Sequence, residues 1–101
     1  MTNMEIAKII LQQMGGTGRL SSFVGAKDFI AIDKGVQFRF TAKSGNKSNR
    51  VQVKLNGNDL YDVKFLWTRG TNMKVISEHS DVFCENLIDL FEGQTKLFVH
   101  F

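Results

Sequence analysis

Apolar residues occupy every second position in three stretches of this chain, and that pattern restricts its fold more than any other feature. Val36, Phe38 and Phe40 alternate with Gln37, Arg39 and Thr41. Val51, Val53 and Leu55 alternate with Gln52 and Lys54, and Tyr61, Val63, Phe65 and Trp67 with Asp62, Lys64 and Leu66. Successive strand side chains point to opposite faces, so each run predicts a strand with one face buried. Asp33-Lys34-Gly35 and Asn56-Gly57-Asn58-Asp59 are turn signals that join neighbours antiparallel. The short apolar runs Phe29–Ile32 and Met73–Ile76 add a strand on each side. The expectation is a five-stranded antiparallel meander.

A sheet with one apolar face needs a cover, and two helices are predicted to supply it. Thr2 precedes Glu5 by three residues, the spacing of a capping box. Ile6, Ile9, Ile10 and Met14 then recur at helical intervals until Gly15 and Gly16. The segment from Thr17 to Lys27 reads as a loop whose Leu20, Phe23 and Val24 tuck under the core. A second helix is expected from Asp81 to Glu92, with Ser80 as its N-cap, Phe83, Leu87 and Phe91 on one face, and Gly93 as its end. The fold class is therefore α+β: one two-layer domain over residues 1–101, with both helices on one face of the meander. Leu97 to Phe101 forms a last strand or an apolar anchor.

Composition bounds the chemistry. Cys84 is the single cysteine, so neither an internal disulfide nor a thiol pair for a metal is available. Unstapled small domains belong in reducing compartments, and no apolar run reaches the roughly 20 residues of a membrane span. Glu5, Lys8, Gln12 and Gln13 interrupt the apolar amino-terminal run, and no signal-peptide pattern follows. A soluble cytoplasmic protein is expected, without membrane attachment.

Neither His79 nor His100 has a serine or cysteine nucleophile beside it in sequence, and Cys84 lies among Phe83 and Leu87 as a core residue would. Gly15-Gly16-Thr17-Gly18-Arg19 closes a helix instead of following a strand, which argues against a phosphate loop. No catalytic residue, metal site or cofactor is expected. The chain reads as a binding protein, not an enzyme.

Charge is unevenly spread. Lys27 to Val75 holds ten Lys or Arg and four Asp, whereas Glu78 to Lys96 holds five acids and one base. Two surfaces follow. Asp81, Glu85 and Asp89, four residues apart on the expected helix, would form an acidic patch for a protein partner. Trp67, Phe98 and Phe101, at element ends, are further candidates for protein contact and for a homodimer. The opposite face of the sheet would present Arg39, Lys54 and Lys64 beside a loop carrying Lys43, Lys47 and Arg50, a surface able to follow duplex phosphates. That outer face shows no aromatic residue, which disfavours single-strand recognition by base stacking.

Four segments carry a family resemblance: Met14-Gly15-Gly16; Val24-Gly25-Ala26-Lys27-Asp28-Phe29; Asp59-Leu60-Tyr61-Asp62-Val63-Lys64-Phe65; and Phe91 through Thr95-Lys96-Leu97. In these the chain resembles a group of small uncharacterised proteins encoded by bacteriophages and prophages. The resemblance implies a phage-encoded protein acting in the bacterial cytoplasm and supplies no activity; with no catalytic constellation in the chain, a non-enzymatic protein that binds a host protein, as an inhibitor of host defence or of another host enzyme, is the expectation. The resemblance implies no functional residues. Binding of duplex nucleic acid by Arg39, Lys43, Lys47, Arg50, Lys54 and Lys64 is the alternative.

Overall fold

A computed structural model describes residues 2–41 and 48–97. Helix α1 (Asn3–Gln13) begins on the expected capping box: the Thr2 hydroxyl accepts from the Glu5 N–H at 3.2 Å, and the Glu5 carboxylate accepts from the Thr2 N–H at 3.1 Å. These bonds favour the charged carboxylate and lower the Glu5 pKa. At the other end Gly15, at φ 106°, lets the Gly16 N–H reach the Leu11 carbonyl at 2.8 Å while the Gly15 N–H donates to Gln12. This reciprocal closure needs a left-handed residue, which glycine adopts without penalty.

The chain then re-enters a helix at once. Helix α2 (Thr17–Val24) starts at Gly16, where a loop was expected, so the glycines open one helix as well as closing another. Leu20 and Val24, one turn apart, are buried, while Phe23 stays exposed. Gly25 ends α2 in the left-handed region, and a Cβ there would strike the Thr41 hydroxyl. The helix therefore abuts the end of the second strand, where the Thr41 N–H donates to the Val24 carbonyl at 3.1 Å.

The five strands are β1 (Lys27–Ile32), β2 (Gly35–Arg39), β3 (Arg50–Leu55), β4 (Tyr61–Arg69) and β5 (Asn72–Val82). They lie in sequence order, each antiparallel to the next, as the alternation predicts. One buried cluster unites Ile6, Ile10 and Leu11 of α1, Leu20 and Val24 of α2, and Leu87 and Phe91 of the last helix with Val36, Phe38, Val51, Val53, Val63 and Phe65 of the sheet. All three helices thus contribute to the same core. Among the described residues no helix is long and apolar enough to cross a membrane.

The carboxy-terminal boundary differs from expectation. β5 runs on to Val82 and takes in Ser80 and Asp81, which the sequence reading gave to a helix. Tyr61 pairs with Val82, the Asp81 N–H donates to the Asp62 carboxylate at 3.2 Å, and Asn56 Nδ2 donates to Asp81 Oδ1 at 2.8 Å. These bonds hold the segment in the sheet. A 3₁₀ turn (Cys84–Asn86) leads into α3 (Leu87–Thr95), which passes through Gly93 and ends at Lys96 in the left-handed region. Its N-cap is Asn86, not Ser80, and it uses no side-chain capping bond. Phe83 and Cys84 consequently fall outside the helix and are exposed, so Cys84 is not a core residue. Leu97 is buried beyond α3, and the expected anchor at Phe98 and Phe101 lies outside the described residues.

Tyr61 ties β4 to α1: its hydroxyl donates to Gln13 Oε1 at 2.7 Å. Burial, reinforced by Cys84, raises the phenol pKa above its usual value near 10. The folded form then keeps a proton that the unfolded chain gives up. This contribution to stability is complete below about pH 10 and is lost as pH rises from there through the folded pKa. Urea midpoints should accordingly hold steady to pH 9 and fall above pH 10, with a shallower fall in Tyr61→Phe. As Tyr61 is the single tyrosine, phenolate absorbance reads its titration directly. Half-ionisation at or below pH 10 in the folded protein would contradict the shift.

Candidate functional site

Register decides which polar side chains meet. β2 and β3 pair Arg39 directly with Arg50, and β3 and β4 pair Arg50 with Leu66. Side chains directly opposite on neighbouring strands lie about 5 Å apart at Cβ, and like charges placed so are destabilising. Arg39 has some relief from Asp28, Nη1 to Oδ2 at 3.6 Å, but both side chains are about half exposed and such a pair contributes little. Among the described residues Arg50 has no such ion pair, and its Nε is buried with no hydrogen-bond partner. Leaving a buried donor unpaired costs about 1–3 kcal/mol, and Arg50 as a whole is only partly buried.

Beside this pair the sheet loses a strand. β3 begins at Arg50, opposite Leu66, whereas β4 continues through Trp67, Thr68 and Arg69 and turns at Gly70 into β5. The protruding hairpin is braced by one side chain. Asn49 Oδ1 accepts from the Thr68 N–H at 2.9 Å, Asn49 Nδ2 donates to the Thr68 carbonyl at 2.8 Å, and the Asn49 N–H donates to the Leu66 carbonyl at 2.8 Å. An amide has one donor and one acceptor side, so Asn49 stands in for the missing strand residue.

Between the hairpin and the arginine pair lies an open cleft of about 940 Å³. Arg39, Arg50 and Arg69 line it together with Trp67, Asn72 and Met73, and among the described residues no carboxylate lines it. Trp67 is 37% exposed. The cleft therefore offers guanidinium charge with amide and hydroxyl groups. Planar guanidinium forks suit phosphate and carboxylate oxygens in particular.

The expected basic surface is divided. Arg39 and Arg50 come together in the cleft, but Lys54 and Lys64 line a separate hollow of about 250 Å³ that also contains Asp62 and Glu78. Lys64 Nζ lies 3.5 Å from Glu78, Lys54 faces Asp62 across the strands, and Gln52 Nε2 donates to Gln37 Oε1 at 2.6 Å. The middle of the sheet is thus charge-balanced. Lys43 and Lys47 lie outside the described residues.

The acidic patch is corrected in the same way. Asp81 is on β5, Glu85 in the 3₁₀ turn and Asp89 in α3, so the three share no helix face. Asp81 accepts from Asn56 and Asn58 at the β3–β4 turn. Among the described residues no group of three or more His, Cys, Asp or Glu side chains is placed to hold a metal ion. His79 rests edge-on to Phe65, ring centroids 5.9 Å apart, with Nε2 3.3 Å from the Ser77 hydroxyl.

Sequence reasoning missed Asn49 and Arg69, which it left in a loop and a turn. It counted Trp67 only as an aromatic residue at an element end. The available signal was the length of the hairpin: Thr68 to Asn72 is flanked by runs that continue toward Gly70 from both sides.

Comparison with protein-family models, curated protein sequences and solved structures finds no match to this chain. The resemblance to small phage proteins rests on the quoted segments alone.

Proposed function

We propose that this protein binds nucleic acid, without catalysing a reaction, through the cleft formed by Arg39, Arg50 and Arg69. One observation carries the reading: Arg39 and Arg50 are set opposite each other, and the Arg50 Nε is desolvated and unpartnered. The arrangement costs the free protein stability and is relieved when an anion enters. Action on a host protein is the weaker reading, because Asp81, Glu85 and Asp89 lie on three separate elements while the arginines converge on one cleft.

The set proposed for contact is narrower than the full basic surface. It keeps Arg39 and Arg50, adds Arg69, and leaves out Lys54 and Lys64, whose charges Asp62 and Glu78 answer locally. Three phosphate contacts give a logarithmic salt slope of about −2.1 to −2.7, so raising salt from 50 to 200 mM should weaken binding roughly 20–40-fold. Anisotropy of fluorescein-labelled oligonucleotides across that range measures it. Failure to bind any oligonucleotide at tens of micromolar protein in low salt would refute the proposal, as would an affinity indifferent to salt.

A further inference from the structure

A surface that grips the phosphates of a duplex meets its bases only through an element that reaches into a groove. We infer that the tip of the β4–β5 hairpin enters the major groove of duplex DNA as a two-stranded ribbon, with Arg39 and Arg50 on the phosphates of one groove wall. The inference rests on the nucleic-acid reading and deepens it by naming the form of the ligand and the element that meets the bases. β3 pairs with β4 no further than Leu66, so Trp67, Thr68 and Arg69 and their partners Lys74, Met73 and Asn72 stand past the last pair of those strands. Three residues of strand span about 10 Å. The major groove of DNA is about 8.5 Å deep and 12 Å wide, and it admits a two-stranded ribbon. At the root of the hairpin Phe65 pairs with Ser77 and Leu66 with Val75. The extra residue, Ile76, forms a bulge, which bends the strand and increases its twist.

The side chains of the hairpin suit that position. No carboxylate occurs from Phe65 to Ser77. Arg69 and Asn72 are directly opposite each other beside the turn at Gly70, and both are exposed. Arginine makes two hydrogen bonds to O6 and N7 of guanine, and asparagine makes two to N6 and N7 of adenine, so the tip carries two side chains able to read base edges. A groove has a phosphate wall on either side of the ribbon, and cations stand on both of its faces. Arg39 is opposite Arg50 and Arg50 is opposite Leu66, which puts the arginine pair on the face of Thr68 and Met73. Lys74 is opposite Trp67, on the other face, and is exposed. With Arg69 on a base, Lys74 keeps the phosphate contacts at three. The Asn49 amide holds both backbone groups of Thr68, so the ribbon is braced before DNA arrives and loses little freedom on binding.

Fluorescein-labelled duplex DNA of about 20 base pairs, the same sequence as duplex RNA, and one DNA strand alone are titrated with the intact chain at about 50 mM salt. The DNA duplex should bind at least about tenfold more tightly than either of the others. The major groove of duplex RNA is too deep and narrow for protein side chains to read, and a single strand has no groove. Selection from a pool of DNA duplexes with randomised base pairs should return a shared preference. Arg69→Ala and Asn72→Ala should each erase it at one base pair and weaken the preferred site roughly fivefold or more. Lys74→Ala should weaken all sequences alike and lower the salt slope by about one. Circular dichroism confirms that each variant is folded, and the three wild-type titrations carry the test should a variant not fold. Equal affinity for duplex DNA and duplex RNA overturns the inference, as does tighter binding of the single strand or a pool returned without preference. Each of these leaves the arginine cleft standing, while absence of binding to every nucleic acid removes both readings.

Discussion

Phe91→Ala is expected to be the most damaging single truncation in the molecule, lowering stability by about 3–5 kcal/mol. Phe91 is 1% exposed, and its ring centre lies 5.2 Å from that of Phe40, 6.1 Å from Phe38 and 6.3 Å from Phe65. The ring locks α3 against β2 and β4, so its removal takes away buried apolar area and leaves a void that three large rigid neighbours cannot close. For a domain of this size the melting temperature should fall by at least about 12 °C. Phe83→Ala makes the informative comparison. Phe83 is 53% exposed, just before the 3₁₀ turn, and its truncation should change stability by no more than about 0.5 kcal/mol. Had the helix begun at Asp81, the two phenylalanines would share a buried face and cost similar amounts. Equal losses in urea denaturation would contradict the observed boundary.

The same boundary shows how far local pattern carries. The meander was legible because alternation and turn chemistry are both local and agree with each other at every strand. The start of α3 was not. Asp81 and Ser80 look like helix-start residues, and the bonds that keep them in β5 come from Asp62 and Asn56, nineteen and twenty-five residues away. Helix α2 was hidden for a different reason. Gly18 and two serines have low helix propensity, and the burial of Leu20 and Val24 against the core outweighs it.

The cleft lies beyond local pattern altogether. Alternation shows that Arg39 and Arg50 avoid the core face, but only the register between β2 and β3 sets them opposite each other. The rule that buries Phe65 places Trp67 on the same side, and the register of β4 with β5 keeps it there, opposite the face of Arg39 and Arg50.

If the arginine pair serves binding and not folding, stability and affinity must respond to its removal in opposite directions. Arg50→Met keeps an unbranched stem of similar reach beside Leu66 and deletes the charge. The fold then loses a like-charge opposition worth a few tenths of a kcal/mol and a desolvated, unpartnered Nε. A stability gain of about 0.5–2 kcal/mol is expected, the range common for substitutions that remove a functional liability. Affinity for an oligonucleotide should meanwhile fall roughly tenfold, the loss of one charge-assisted phosphate contact. Lys64→Met provides the contrast. It breaks the exposed contact with Glu78 outside the cleft, so stability should move by less than about 1 kcal/mol and affinity should hold. Urea midpoints and anisotropy on the same three proteins give both axes. A destabilised Arg50→Met would make the guanidinium a structural group. Equal losses of affinity in Arg50→Met and Lys64→Met would restore the continuous basic face and dissolve the cleft as a site.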